Sequence, residues 1–117
     1  MVKGKIIAIG SKAQNEEEKM LLFFNQSATT TLKEYSVIQE IDDVQGLDLA
    51  VGNTIFFGEQ EYQIAYVGNT AVKTLQSIAH VTFIFEEPPQ ENPVVSGVYL
   101  TPSQLPEIFV GLEISYP

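Results

Sequence analysis

Short apolar runs broken by glycine and proline restrict this chain to a mainly β fold. Lys3–Gly10, Met20–Phe24, Tyr35–Ile41, Thr54–Phe57, Tyr62–Val67, His80–Phe85, Gly97–Thr101 and Leu112–Tyr116 are rich in β-branched and aromatic residues. Each is too short for a buried helix and is bounded by turn residues, the pattern of strands. Gly58-Glu59-Gln60-Glu61 joins two of them as a hairpin. Pro88, Pro89 and Pro93 keep the acidic loop Glu86–Pro93 out of any ladder. Only after Gly68 does the apolar repeat lengthen to a helical period, with Ala71, Val72, Leu75, Ile78 and Ala79 on one stripe and Asn69 as the expected N-cap. A helix this short must be held by docking on a sheet. The expected architecture is one domain over residues 1–117, a small β-barrel or sandwich of about eight short strands with one short helix, about Asn69–Ala79, packed on it. Asn25–Leu32 reads as a Ser/Thr-rich connection, and Glu16–Glu18 as a solvated acidic run.

Charge narrows the partners. Six lysines face fifteen acids, for a net charge of −9, and the chain has no arginine. Nucleic acid and anionic membrane surfaces are therefore poor partners, whereas a basic protein surface is a good one. Without arginine there is no bidentate fork for phosphate, so a bound phosphoryl group must rely on backbone N–H groups, lysine, hydroxyls or a partner's cations. The absence of cysteine removes disulfides and thiolate chemistry and is compatible with a reducing cytosol. The apolar run Ile6–Ile9 is too short for a signal-peptide core or a membrane span.

One histidine, His80, and no cysteine cannot build a usual zinc site, which takes several N or S ligands. No G-x-S-x-G, G-x-G-x-x-G or P-loop pattern occurs, so hydrolase, dinucleotide and P-loop chemistry lack support. No cofactor or metal is expected. Histidine is the side-chain type suited to group transfer near neutral pH, and its imidazole can take a phosphoryl group. His80 and Thr82 share one row of their strand with Ile84, opposite the core row Val81, Phe83 and Phe85. A lone histidine at a strand start is, equally, an ordinary structural residue. A second anomaly sits at Gln39, a polar amide in the otherwise apolar row Tyr35, Val37, Gln39, Ile41. Such an interruption either marks a site or is a strand-end amide reaching water; Ser36, Ile38 and Glu40 form the other, mostly solvent-facing row.

The order Gly58, Tyr62, Val67-Gly68, Ala71, Leu75, His80-Val81-Thr82, Phe85 resembles the glucitol/sorbitol-specific IIA component of the bacterial phosphotransferase system. The resemblance extends over nearly the whole chain, through Ile9-Gly10, Met20-Leu21, Leu32-x-Glu34-Tyr35 and Gly97. It implies a cytoplasmic phosphocarrier that takes a phosphoryl group from the histidine of an HPr-like carrier and passes it to the IIB/IIC permease components. It also implies an acceptor histidine four residues beyond Tyr35, where this chain has Gln39. An amide nitrogen has its lone pair delocalised and cannot be that acceptor. The family pattern keeps a histidine at His80, which leaves His80 as the one possible acceptor in this chain, with Thr82, Tyr35 and the turn at Gly68-Asn69 as supporting groups and Gln39 expected around the same pocket. Gln39 would then orient His80 or fill the place of the lost imidazole. The alternatives are a regulatory or binding module that keeps the IIA fold without catalysis, and a small-molecule-binding barrel with an apolar pocket between helix and sheet.

Overall fold

The computed structural model describes residues 2–14 and 17–117. Eight strands close into a barrel: β1 (Val2–Ile9), β2 (Met20–Phe24), β3 (Ser36–Ile41), β4 (Thr54–Phe57), β5 (Gln60–Val67), β6 (Val81–Ile84), β7 (Gly97–Thr101) and β8 (Glu113–Tyr116). Around the wall they run β1-β3-β2-β6-β7-β5-β4-β8, so no sheet edge is left open. The β2–β3 and β6–β7 pairs are parallel and the others antiparallel. Closure decides between the barrel and the sandwich, which the strand pattern alone allowed.

Alternation along the strands sends one row inward. Phe23 of β2 pairs with Val37 of β3 and Val81 of β6, and all three are fully buried in the core. Phe57, Phe83 and Phe85 join them in edge-on and tilted ring contacts. The hairpin β4–β5 forms with a tighter turn than the four-residue connection expected: Gln60 and Glu61 belong to β5, opposite Phe57 and Phe56, and Gly58 at φ 64° lets Gly58-Glu59 alone reverse the chain. The amphipathic stretch is helix α2 (Ala71–Ile78), which buries Ala71 and Leu75 and leaves Lys73 and Ser77 exposed.

Four local expectations are corrected. A one-turn helix, α1 (Thr30–Glu34), stands inside what reads as a connection. It buries no residue and is held by its cap, the Thr29 hydroxyl accepting from Leu32 N–H at 3.3 Å, so it has no apolar stripe to betray it. Helix α2 is capped by Thr70 rather than Asn69, and without a side-chain cap bond, because the Thr70 hydroxyl donates to the Val95 carbonyl of the crossing loop at 2.9 Å. Strand β6 starts at Val81, not His80, because the His80 N–H donates to Thr74 O and is spent on the helix end. Ser36 and Ile38 on the second row of β3 are buried rather than solvent-facing, and so are Phe24, Thr82, Ile84 and Tyr99 on the neighbouring strands. The outer wall here is thus also covered. Of the acidic run, Glu16 lies outside the described residues, and Glu17 and Glu18 are exposed.

Candidate functional site

Gln39 is wholly buried, which corrects the strand-end reading. It lies on the inner row of β3 opposite Ile6 of β1, and its amide is tied at both ends. The Gln39 Nε2 donates to the Ala79 carbonyl at 3.2 Å, and its Oε1 accepts from the Tyr116 hydroxyl at 2.8 Å. The Ala79 carbonyl can only accept, so the orientation of the carboxamide is set. Tyr116 is itself fully buried, and burial pushes its pKa up, against the opposing effect of the Gln39 bond, so it remains a neutral O–H donor. Gly4 makes room for the pair: a Cβ there would stand 2.6 Å from Gln39 Oε1 and 3.1 Å from the Tyr116 ring. Tyr116 was not legible as a partner of Gln39, since only barrel closure through the β1–β8 pairing brings the chain's last strand beside its third.

A cleft of about 450 Å³ opens beside Gln39, lined also by Asn25, Gln26, Glu40, Gln76 and Ala79. Amides and hydroxyls dominate it, and the one charged lining residue is a carboxylate. That environment repels a dianionic phosphoryl group unless a cation is brought to it.

His80 sits one residue past Ala79, on the other side of the wall. Val81 faces the core opposite Phe23, so His80 takes the outer row beside Phe24. Its ring stacks on Phe24, with centroids 4.1 Å apart and planes inclined by 18°. His80 Nδ1 lies 3.1 Å from the Phe23 carbonyl. A carbonyl oxygen only accepts, so Nδ1 carries the proton and Nε2 keeps its lone pair. The side chain is half-buried. No hydrogen bond joins Gln39 and His80 directly among the described residues; their link is the Ala79–His80 peptide group.

The remaining expected residues scatter. Thr82 is two residues on in the outer row of β6, buried, with its N–H donating to Ser96 O at 3.1 Å. Gly68 and Asn69 precede α2 whereas His80 follows it, a separation of about 12 Å along an eight-residue helix. The Gly68 N–H donates to Gly97 O at 2.8 Å and is no open phosphate donor. Its glycine is required by packing, since a Cβ would meet Val95 O at 2.4 Å. Tyr35 precedes β3, about 13 Å before Gln39, and is exposed beneath the Lys12 ammonium. Among the described residues no group of three or more His, Cys, Asp or Glu is placed to hold a metal ion, and no helix is long and apolar enough to cross a membrane.

Comparison with known proteins gives this geometry its family. The family model of the PTS system glucitol/sorbitol-specific IIA component matches residues 1–115. Among solved structures, the crystal structure of the PTS system IIA component from Enterococcus faecalis V583 superposes with a TM-score of 0.95, at 40% sequence identity, over 97% of this chain and 98% of that one. No curated protein matches. The barrel, its single histidine and the amide at position 39 are therefore those of a chain that belongs to the glucitol/sorbitol-specific IIA component family of the phosphotransferase system.

Proposed function

We propose that this protein is a cytoplasmic phosphocarrier in which His80 Nε2 is the acceptor atom. It exchanges a phosphoryl group with an HPr-like carrier and with the IIB part of a glucitol/sorbitol-type permease. The observation that carries this reading is the His80 Nδ1 contact with the Phe23 carbonyl at 3.1 Å, which leaves Nε2 as the nucleophile. The Nε2 lone pair forms the bond to phosphorus as the donor's N–P bond breaks and its electron pair returns to the donor imidazole. The ring gains positive charge in that step, and the Phe23 carbonyl facing Nδ1–H stabilises it. The acceptor of IIB then attacks phosphorus, and the pair of the breaking bond returns to Nε2. With a net charge of −9 and no arginine, the protein relies on cations of its partners around the transferring group, and the same charge draws a basic docking face.

Gln39 favours a second reading, a regulatory or binding module. At the position where the family places its acceptor, this chain has a buried amide with both ends bonded and a cleft whose charged residue is Glu40. Phosphoryl transfer from labelled phosphoenolpyruvate through the general phosphotransferase components separates the two. Acid-labile label on the wild type that is lost in His80→Ala supports the carrier. An unlabelled wild type that still binds the carrier protein supports the module.

A further inference from the structure

We propose that Gln39, braced by Tyr116, is a positioning residue for His80: from inside the barrel the pair clamps the peptide group that sets the direction of the imidazole outside it. The proposal rests on the reading of His80 as acceptor and adds to it a role for the residue that replaced the family's histidine.

The peptide between Ala79 and His80 is held at both of its polar ends. Its carbonyl accepts from Gln39 Nε2 at 3.2 Å, and its N–H donates to Thr74 O at 3.1 Å. Ala79 is in the left-handed region, at φ 52° and ψ 29°, which L side chains seldom adopt unless the surroundings impose it. Its own N–H closes on Leu75 O at 3.1 Å, and the Thr74 hydroxyl reaches over to the His80 carbonyl at 2.8 Å. Thr74 and Leu75 belong to the helix, so they fix this turn relative to α2 only. The wall holds the flanks of the turn through the backbone, the Asn25 N–H donating to the Ile78 carbonyl at 2.9 Å and Val81 pairing with Phe23. Gln39 is the side chain that holds the Ala79 carbonyl itself, against β3, and Tyr116 keeps the amide from moving. The imidazole meanwhile takes its ring contacts from β2, through Phe24 and the Phe23 carbonyl. Turn and ring thus register against adjacent strands, β3 and β2, whose pairing places Phe24 opposite Ile38, the residue before Gln39. Release of the Ala79 carbonyl lets the turn relax, and the Nδ1–H bond to Phe23 loses its alignment.

A single histidine makes the test clean, because a long-range 1H–15N spectrum of the ring nitrogens reports His80 alone. The wild type is expected to show protonated Nδ1 and unprotonated Nε2. Gln39→Met keeps the length and removes both hydrogen bonds; Tyr116→Phe removes the brace. Both are expected to shift the ring toward mixed tautomers and to slow labelling about ten- to a hundredfold in kcat, with KM for the carrier protein unchanged. Tyr116→Phe should show the smaller effect. A folded Gln39→Met with wild-type tautomer signals and labelling rate overturns the clamp. If Gln39→Met does not fold, the same comparison on Tyr116→Phe decides. A wild type that takes no label defeats the acceptor reading, while the tautomer comparison still decides the clamp.

Discussion

The buried Tyr116–Gln39–Ala79 chain makes a thermodynamic prediction with an unusual sign. Tyr116→Phe removes one hydroxyl whose hydrogen bond to Gln39 Oε1 is 2.8 Å, and both residues are fully buried. The ring remains against Phe83, so little packing is lost, but the Gln39 carbonyl is orphaned. An unsatisfied buried acceptor costs about 1–3 kcal/mol. Gln39→Met orphans two groups, the Tyr116 hydroxyl and the Ala79 carbonyl, and should cost roughly twice that, about 2–6 kcal/mol. In the double variant only the Ala79 carbonyl lacks its partner. Adding Tyr116→Phe to Gln39→Met should therefore restore about 1–3 kcal/mol rather than take more away. Urea unfolding at constant m-value measures each, and for a chain of this size 1 kcal/mol corresponds to about 4 °C in Tm. Additive losses, or a Tyr116→Phe protein within about 0.5 kcal/mol of wild type, would show that the hydroxyl is not part of the network.

Burial raises the pKa of Tyr116, and that of Tyr62, so alkaline pH should weaken the fold. Below the unfolded value near pH ~10 both states keep the proton and the contribution is fully present; above it only the unfolded chain ionises, and stability should fall by up to about 1.4 kcal/mol per pH unit from Tyr116, a loss that urea midpoints should find absent in Tyr116→Phe. Ser36 is fully buried and its hydroxyl has no partner among the described residues, so Ser36→Ala should be neutral or stabilising by up to about 1 kcal/mol in a thermal melt; a clear loss would reveal a bond to that hydroxyl. An imidazole placed at position 39 meets the Ala79 carbonyl, which demands an N–H, and the Tyr116 hydroxyl, which donates to the other nitrogen. In a His80→Ala background, Gln39→His should thus stay unlabelled, because one nitrogen carries the proton and the other faces Tyr116 inside the barrel; label on it would refute this.

The interruption at Gln39 and the lone imidazole at His80 were both legible as anomalies, and the collinear residues around them pointed to the family that the whole-chain match bears out. Their relation was not legible. Alternation puts Gln39 in the row of Val37 and His80 opposite the row of Val81, and so already set them on opposite faces of their strands, whereas the expectation of one shared pocket came from resemblance. Tyr35, Gly68 and Asn69 were drawn to the site by motif, and the fold spreads them to other places because a residue in a motif serves packing as readily as chemistry; Gly68, pressed against the Val95 carbonyl, is such a case.

The sequence by itself determined the eight strands, the one docked helix and an inventory with a single imidazole and no thiol, because period, turn residues and residue inventory are local properties. Only the tertiary structure decided that the sheet closes, that Tyr116 meets Gln39 across the barrel, and that Phe23 rather than Gln39 selects the tautomer of His80. Those contacts join residues 77 and 57 positions apart, and their pairing follows from strand register and closure, which no local pattern encodes.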